Sequence, residues 1–300
     1  MKRLVLFILG LFVLIGIISA SGAKEAKPLG SEENPIVWAF VPSSDTQKVV
    51  SGAKAMVDLL QKETGYFYKV LVPTEYGGAI EALASNPPSA HMASLNTFAY
   101  IIAAEKKVAK AELIAVRRGK TTYNGQIIAR AGGGIKSLQD IKGKIFARVD
   151  PTSTTGWIIP SLMLRAARID LEKDVKILDA GSHDGVVSAV YRGDADAGAC
   201  FVDARTNIQK TNPDVMEKVV VIATTIDVPN DGIQFSPAMP EDMRKKIVSA
   251  MLKIAKTEEG KKALRQAYNW DDLEALGDSF YDPFRQILQS AGVNPASFVK

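Results

Sequence analysis

The sequence predicts an α/β fold in two domains, on three observations. Short apolar runs alternate with amphipathic runs of helical period along most of the chain, the pattern of strands leading into helices around a mostly parallel sheet. The chain is 300 residues long, enough for two domains of ordinary size. A cluster of hydroxyls, Asp150-Pro151-Thr152-Ser153-Thr154-Thr155-Gly156-Trp157, lies between a strand-like and a helix-like run near the middle of the chain.

The elements follow in order. Residues 1–23 read as a secretory signal peptide: Lys2 and Arg3 precede the uncharged apolar run Leu4 to Ile18, and Ser19 to Ala23 offers small residues for cleavage after Ala20 or Ala23. That run is shorter than the roughly 20 residues a spanning helix needs, so an uncleaved N-terminal anchor is the alternative reading. Residues 24–35 read as a linker. Strands are expected at Ile36–Val41, Tyr68–Val72, His91–Leu95 and Glu112–Val116, with helices at Val50–Thr64, Ala79–Ala84 and Thr97–Lys106 between them.

A second set follows. It comprises strands at Gln126–Arg130, Lys144–Val149, Val175–Leu178, Ala195–Phe201 and Val219–Ala223, and helices at Ile158–Ala167, Ser182–Tyr191 and Val202–Lys210. Asn230-Asp231-Gly232 reads as a loop, and the chain beyond Pro240 as helical. Gly132-Gly133-Gly134 is a turn, too compact for a dinucleotide fingerprint.

Composition excludes several function classes. The net charge is +4, and loss of Lys2 and Arg3 with the leader lowers it by two. Basic residues are spread out, without the stripe that nucleic-acid binding requires. Cys200 is alone, so no internal disulfide forms, and its apolar neighbours mark it as a buried small hydrophobe. The two histidines, His91 and His183, leave little for a zinc site, and neither a metal nor a cofactor is expected.

The hydroxyl cluster carries two readings. The first N–H groups of a helix lack intrahelical partners and bear the positive end of its dipole, so Ser153, Thr154 and Thr155 suit an oxyanion. Ser or Thr at that place also fits plain helix capping. His183 in a first helical turn, Tyr76 and Tyr123 beside predicted strands, and Asp231 in a Pro-Asn-Asp-Gly turn each have an ordinary structural reading too.

Taken together the motifs resemble one family. Thr74-Glu75-Tyr76, Tyr123, Ser137 to Lys144, Asp150 to Gly156, Gly181-Ser182-His183-Asp184, Gly193 to Gly198 and Pro229-Asn230-Asp231 occur in the order found in the phosphate/phosphite/phosphonate periplasmic substrate-binding proteins of ABC importers. The resemblance spans about Ile36 to Lys256. It implies a two-lobed α/β periplasmic-binding-protein fold of type II, with a ligand cleft between lobes and a two-strand hinge. Lobe 1 would combine 36–120 with 226–300, and lobe 2 would hold 121–225, with crossings near Thr121-Thr122 and Thr224-Thr225.

The resemblance further implies that Ser153, Thr154 and Thr155 hold the phosphoryl oxygens with His183. Tyr76 and Tyr123 close over the ligand, and Asp231 accepts a P–OH proton or orients donors. Asp203 falls where aminoalkylphosphonate binders carry a Glu for the ligand's ammonium, with an arm one methylene shorter; helix capping is its other reading. His91, where the family usually has Asp, reads as structural. The implied protein is an exported monomer that passes a phosphorus oxyanion to a membrane permease. The alternatives are a sensor docking on a membrane receptor and a phosphate-ester hydrolase. The hydrolase lacks a G-x-S-x-G elbow and a dense metal site.

Overall fold

The computed structural model describes residues 27–298. The signal-peptide reading of 1–23 lies outside these residues. Lys27 to Pro35, read as part of a linker, packs on the first lobe: Gly30 N–H bonds the Asn34 carbonyl at 2.8 Å and Phe67 N–H bonds the Gly30 carbonyl at 2.9 Å.

The chain opens with β1 (Ile36–Phe40), α1 (Thr46–Thr64), β2 (Tyr68–Leu71), α2 (Tyr76–Ala84), β3 (Met92–Leu95), α3 (Thr97–Glu105) and β4 (Lys110–Val116). Asp45 starts α1 by accepting the Lys48 N–H at 3.1 Å, and Gly65, with φ of 73°, ends it in the left-handed conformation. The face carrying Val49, Ala53, Met56 and Leu60 is buried.

After a two-residue strand, β5 (Thr122–Tyr123), come β6 (Gly125–Arg130), β7 (Ile145–Arg148), α4 (Ile159–Ala166), β8 (Lys176–Asp179), α5 (His183–Arg192), β9 (Ala197–Phe201), α6 (Val215–Lys218) and β10 (Val219–Thr224). The chain then returns through β11 (Val228–Pro229) to β12 (Gly232–Phe235), α7 (Glu241–Ile254), α8 (Glu258–Tyr268), β13 (Asp272–Glu274) and α9 (Asp282–Ser290).

Two sheets result, one per lobe. The first runs β13-β4-β12-β3-β1-β2 and the second β10-β6-β9-β7-β8. The expected mostly parallel sheets are in fact mixed. β1 pairs parallel with β2 and β3, and β7 with β8 and β9, but β12 lies antiparallel between β3 and β4, and β6 antiparallel between β9 and β10. The reason is connectivity: strands that enter a lobe from the other one arrive without a crossover helix, so right-handed βαβ geometry does not constrain them.

Three local readings change with this. Gly232, read as the end of a loop, opens the fully buried central strand β12. Asp272–Glu274 is an edge strand inside the region read as helical. Of the helix expected over Val202–Lys210 only a short 3₁₀ turn, Ala204–Asn207, forms.

Between the sheets the chain crosses twice, and the crossings pair as a two-stranded ladder, Tyr123 with Val228 and Thr122 with Pro229. Thr224 is still paired with Gln126 in the second sheet, so the return crossing lies beyond the Thr224-Thr225 step. The lobes are closed on one another. His183 N–H reaches the Ser43 carbonyl at 3.1 Å, Ser44 Oγ donates to Asp184 Oδ2 at 2.7 Å, and Asn269 Nδ2 donates to Asn207 Oδ1 at 3.3 Å.

Candidate functional site

β7 runs out into the hydroxyl loop, which is held from within. Asp150 Oδ1 accepts from the N–H and the hydroxyl of Thr152, each at 2.7 Å. Ser153 Oγ accepts the Gly156 N–H at 3.2 Å and caps a single π turn, Thr154–Ile158, that leads into α4. Gly156 is required by close approach: a Cβ there would stand 2.4 Å from Val149 Cγ2 and 2.7 Å from Ser153 Oγ. Among the described residues the backbone N–H groups of Thr154 and Thr155 have no acceptor, as expected at the start of a helical segment.

The loop also reaches across the cleft. Asp150 Oδ2 accepts the Tyr76 N–H at 3.2 Å, at the start of α2, where the residue ahead, Glu75, makes no side-chain cap of its own. Thr154 Oγ1 accepts the Phe98 N–H at 2.9 Å and donates to Asn96 Oδ1 at 3.1 Å, while that same oxygen caps α3 through the Ala99 N–H at 2.9 Å. Residues of the second lobe thus cap two helices of the first. The Thr154 hydroxyl, expected on the ligand, is committed to this contact.

A cavity of about 280 Å³ lies beside the loop, between the lobes. Its wall includes Tyr76 and Asn96 from one lobe, Ser153 and His183 from the other and Tyr123 from the crossing, with Arg117 and Asp231 beside them. Thr154 and Thr155 are not part of that wall; both are buried, and the Thr155 hydroxyl has no partner among the described residues. Two wall residues carry buried donors with no partner among the described residues, the Tyr76 hydroxyl and Asn96 Nδ2. The Asn96 amide cannot turn to satisfy itself, because its oxygen is held by Ala99 and Thr154. Burial, reinforced by the Asp150 carboxylate, pushes the Tyr76 phenol well above its usual pKa, so it remains a donor. Burial likewise raises Tyr123 to about 12.

His183 is held in one tautomer. Its Nδ1 accepts the Phe201 N–H at 3.1 Å, which leaves the proton on Nε2. Its ring meets Phe201 edge-on with centroids 4.7 Å apart. Burial pushes its pKa down to about 4, so the imidazole is neutral and donates from Nε2.

Asp231 is held by Arg117 and Trp270. Arg117 forks onto it, with Nη2 on Oδ2 at 2.9 Å and Nη1 on Oδ1, and Trp270 Nε1 donates to Oδ2 at 2.9 Å. Arg117 also donates to Asn230 Oδ1 and to the Tyr268 carbonyl at 3.2 Å, and lies 5.2 Å from the Tyr123 ring centroid. Of the two roles implied for Asp231, orienting donors fits this arrangement. Three donors already bond its carboxylate, one on Oδ1 and two on Oδ2.

Asp203 stands apart from the cavity. It accepts from Arg205 Nε at 2.9 Å, Arg205 Nη2 at 2.6 Å and Gln126 Nε2 at 2.9 Å, and it caps the Ala204–Asn207 turn through the Arg205 N–H at 3.1 Å. That is the capping alternative, with an ion pair added. His91 accepts the Val37 N–H on Nδ1 at 3.0 Å, in keeping with a structural part. Cys200 is buried, and burial raises its thiol to about 12.

Sequence reasoning missed Asn96, Arg117 and Trp270. Asn96 was visible as a helix start before Thr97. Nothing local marks Arg117 or Trp270, since their partner Asp231 is brought to them by β12. Among the described residues no group of three or more His, Cys, Asp or Glu is placed to hold a metal ion. Nor is any helix there long and apolar enough to cross a membrane.

Comparison with known proteins places the chain. The profile of one family, ABC transporter phosphonate periplasmic substrate-binding proteins, matches residues 38–281. A phosphate-import protein of Mycolicibacterium smegmatis is 27% identical over 196 residues, which cover 61% of this chain and 60% of that protein. The phosphonates-binding periplasmic protein of Escherichia coli is 21% identical over 282 residues, covering 92% of this chain and 81% of that one.

Among solved structures, a binding component of an ABC phosphonate transporter from Pseudomonas aeruginosa superposes with a TM-score of 0.79 at 21% identity, covering 86% of this chain and 87% of that one. A Prochlorococcus marinus protein solved in complex with methylphosphonate superposes with a TM-score of 0.76 at 17% identity, covering 86% and 98%. At these identities the superpositions establish the two-lobed fold.

Proposed function

This chain belongs to the family of periplasmic substrate-binding proteins of phosphonate ABC transporters, and we propose that it captures a phosphorus oxyanion in the interlobe cavity and delivers it to an ABC importer. The carrying observation is the pair of buried, partnerless donors on the cavity wall, the Tyr76 hydroxyl and Asn96 Nδ2. A buried donor costs about 1–3 kcal/mol when left unpaired, and an oxyanion in the cavity would satisfy both. His183 Nε2–H and the Ser153 hydroxyl complete the donor set on the wall, and the helix-start N–H groups of Thr154 and Thr155, set behind it, add their positive potential. In this reading Tyr123, Arg117 and Asp231 form a fixed backing, and the Arg117–Asp231 pair keeps the carboxylate from repelling the ligand.

The function needs no chemistry on the ligand, and the family is one of solute-binding proteins, so no enzymatic step is assigned. The protein works as an exported monomer whose residues 1–23 are removed. Residues 36–120 with 226–300 form one lobe and 121–225 the other; they open and close about the ladder of Thr122–Tyr123 and Val228–Pro229. Calorimetry against phosphate, phosphite, methylphosphonate and 2-aminoethylphosphonate tests this. At least one should bind, and Tyr76→Phe should weaken it by about 1.5–3 kcal/mol. Failure of all four to bind would overturn the reading.

A further inference from the structure

Next to the central cavity lies a second one of about 420 Å³, and the two share Arg117, Tyr123, Phe201, Arg265 and Asn269 in their walls. The second cavity therefore adjoins the inner one, as a vestibule would. Its chemistry differs from that of the inner one. Arg117 and Lys120 form a bridge across a tight turn whose tip is Arg118, at φ of 52°, and Gly119, at φ of 75°. This turn projects Arg118 and Lys120 into the vestibule wall, both exposed.

The vestibule holds two carboxylates, and each is already engaged. Asp203 is held by Arg205 and Gln126. Asp271 accepts the Arg118 N–H at 2.7 Å and Arg265 Nε at 2.9 Å. No ion pair joins the side chain of Arg118 or Lys120 to a carboxylate among the described residues. Arg265 is half satisfied by its one contact with Asp271, and it lines both cavities.

An ammonium entering here would meet unpaired cations and two neutralised carboxylates, which disfavours it. An anion would meet the reverse. Building on the oxyanion reading of the inner cavity, we infer that the vestibule binds the far end of the ligand, and that the ligand is a phosphoryl compound whose short organic substituent ends in a second anionic group. The inner donors hold the phosphoryl head, and Arg118, Lys120 and Arg265 meet the tail.

The test is calorimetry with 3-phosphonopropionate, 2-aminoethylphosphonate, propylphosphonate and methylphosphonate, on the parent and on Arg118→Asn/Lys120→Gln. Asn is chosen at 118 because it tolerates positive φ. The acid-tailed ligand should bind tighter than propylphosphonate by a factor on the order of fivefold to tenfold, the sum of two exposed ion pairs, and the gain should shrink as salt rises. The double variant should abolish that gain and leave methylphosphonate affinity unchanged.

If methylphosphonate binds but the acid tail adds nothing, the vestibule assignment falls and the oxyanion reading stands. A variant that weakens all four ligands equally, or a preference for the amine, overturns it in the same way. If none of the four binds, the vestibule assignment falls, and binding of phosphate or phosphite then decides the oxyanion reading.

Discussion

Asp150 caps a helix that belongs to the other lobe: its Oδ2 accepts the backbone N–H of Tyr76 at 3.2 Å across the cleft, while its Oδ1 holds Thr152 in its own loop. One carboxylate therefore ties the geometry of the oxyanion loop to the closed position of α2, the helix whose first residue carries a cavity-wall phenol. Thr154 does the same for α3 through Phe98. Within the hydroxyl cluster, Thr154 and the neighbouring Asp150 make the interlobe contacts.

Asp150→Asn should loosen the clasp without altering the inner wall. Affinity for every phosphorus oxyanion should drop by about 1.5–3 kcal/mol, the worth of a charged hydrogen bond, and the loss should appear in dissociation, not association. Stopped-flow kinetics checks this. An unchanged dissociation rate would show that the Tyr76 contact does not hold the lobes together.

Asn96→Asp keeps the oxygen that caps α3 and replaces the partnerless amide nitrogen with a second oxygen. A carboxylate against an oxyanion repels it, so binding should fall at least a hundredfold at neutral pH while the fold persists. Circular dichroism with calorimetry on one sample separates the two. Retained affinity would remove Asn96 from the ligand shell.

Arg117→Met leaves Asp231 with only the Trp270 donor in a half-buried setting. Breaking a buried pair from one side costs about 3–5 kcal/mol, whereas removing both charges costs much less. Urea unfolding of Arg117→Met, Asp231→Asn and the double variant should therefore show the double variant more stable than Arg117→Met alone. Additive losses would mean that the pair contributes no coupling.

His183 gives a pH signature of defined sign. Burial lowers its pKa from 6.5 to about 4 in the folded protein. Between those values the unfolded chain takes up a proton that the folded one refuses. Stability is thus unaffected above pH 6.5 and falls as pH drops toward 4, by about 1.4 kcal/mol per unit, or about 3 kcal/mol in all. His183→Asn keeps an acceptor for the Phe201 N–H and does not titrate, so its unfolding midpoint should decline less between pH 7 and pH 4.5. Parallel declines would place the acid sensitivity elsewhere.

The sequence by itself determined the elements whose cause is local. The apolar run Ile36 to Phe40, the cap at Asp45, the stop at Gly65 and the hydroxyl loop closed by Gly156 are all legible, because caps, turns and periodicity act within a few residues. It also brought out the wall residues Tyr76, Tyr123, Ser153, His183 and Asp231, through motif order.

Tertiary structure alone decided what those side chains touch. Strand β12 was invisible as a strand because a centre position in a sheet is set by β3 and β4, far away in sequence, and not by alternation. Its insertion carries Asp231 to Arg117 and Trp270. Closure of the lobes sets the ligand candidate Thr154, with Asp150 beside it, against the N-termini of α3 and α2, and Asp203 is bonded by Arg205 and Gln126. A buried polar group bonds whatever the fold brings within about 3 Å, and which group that is depends on the packing of both lobes together.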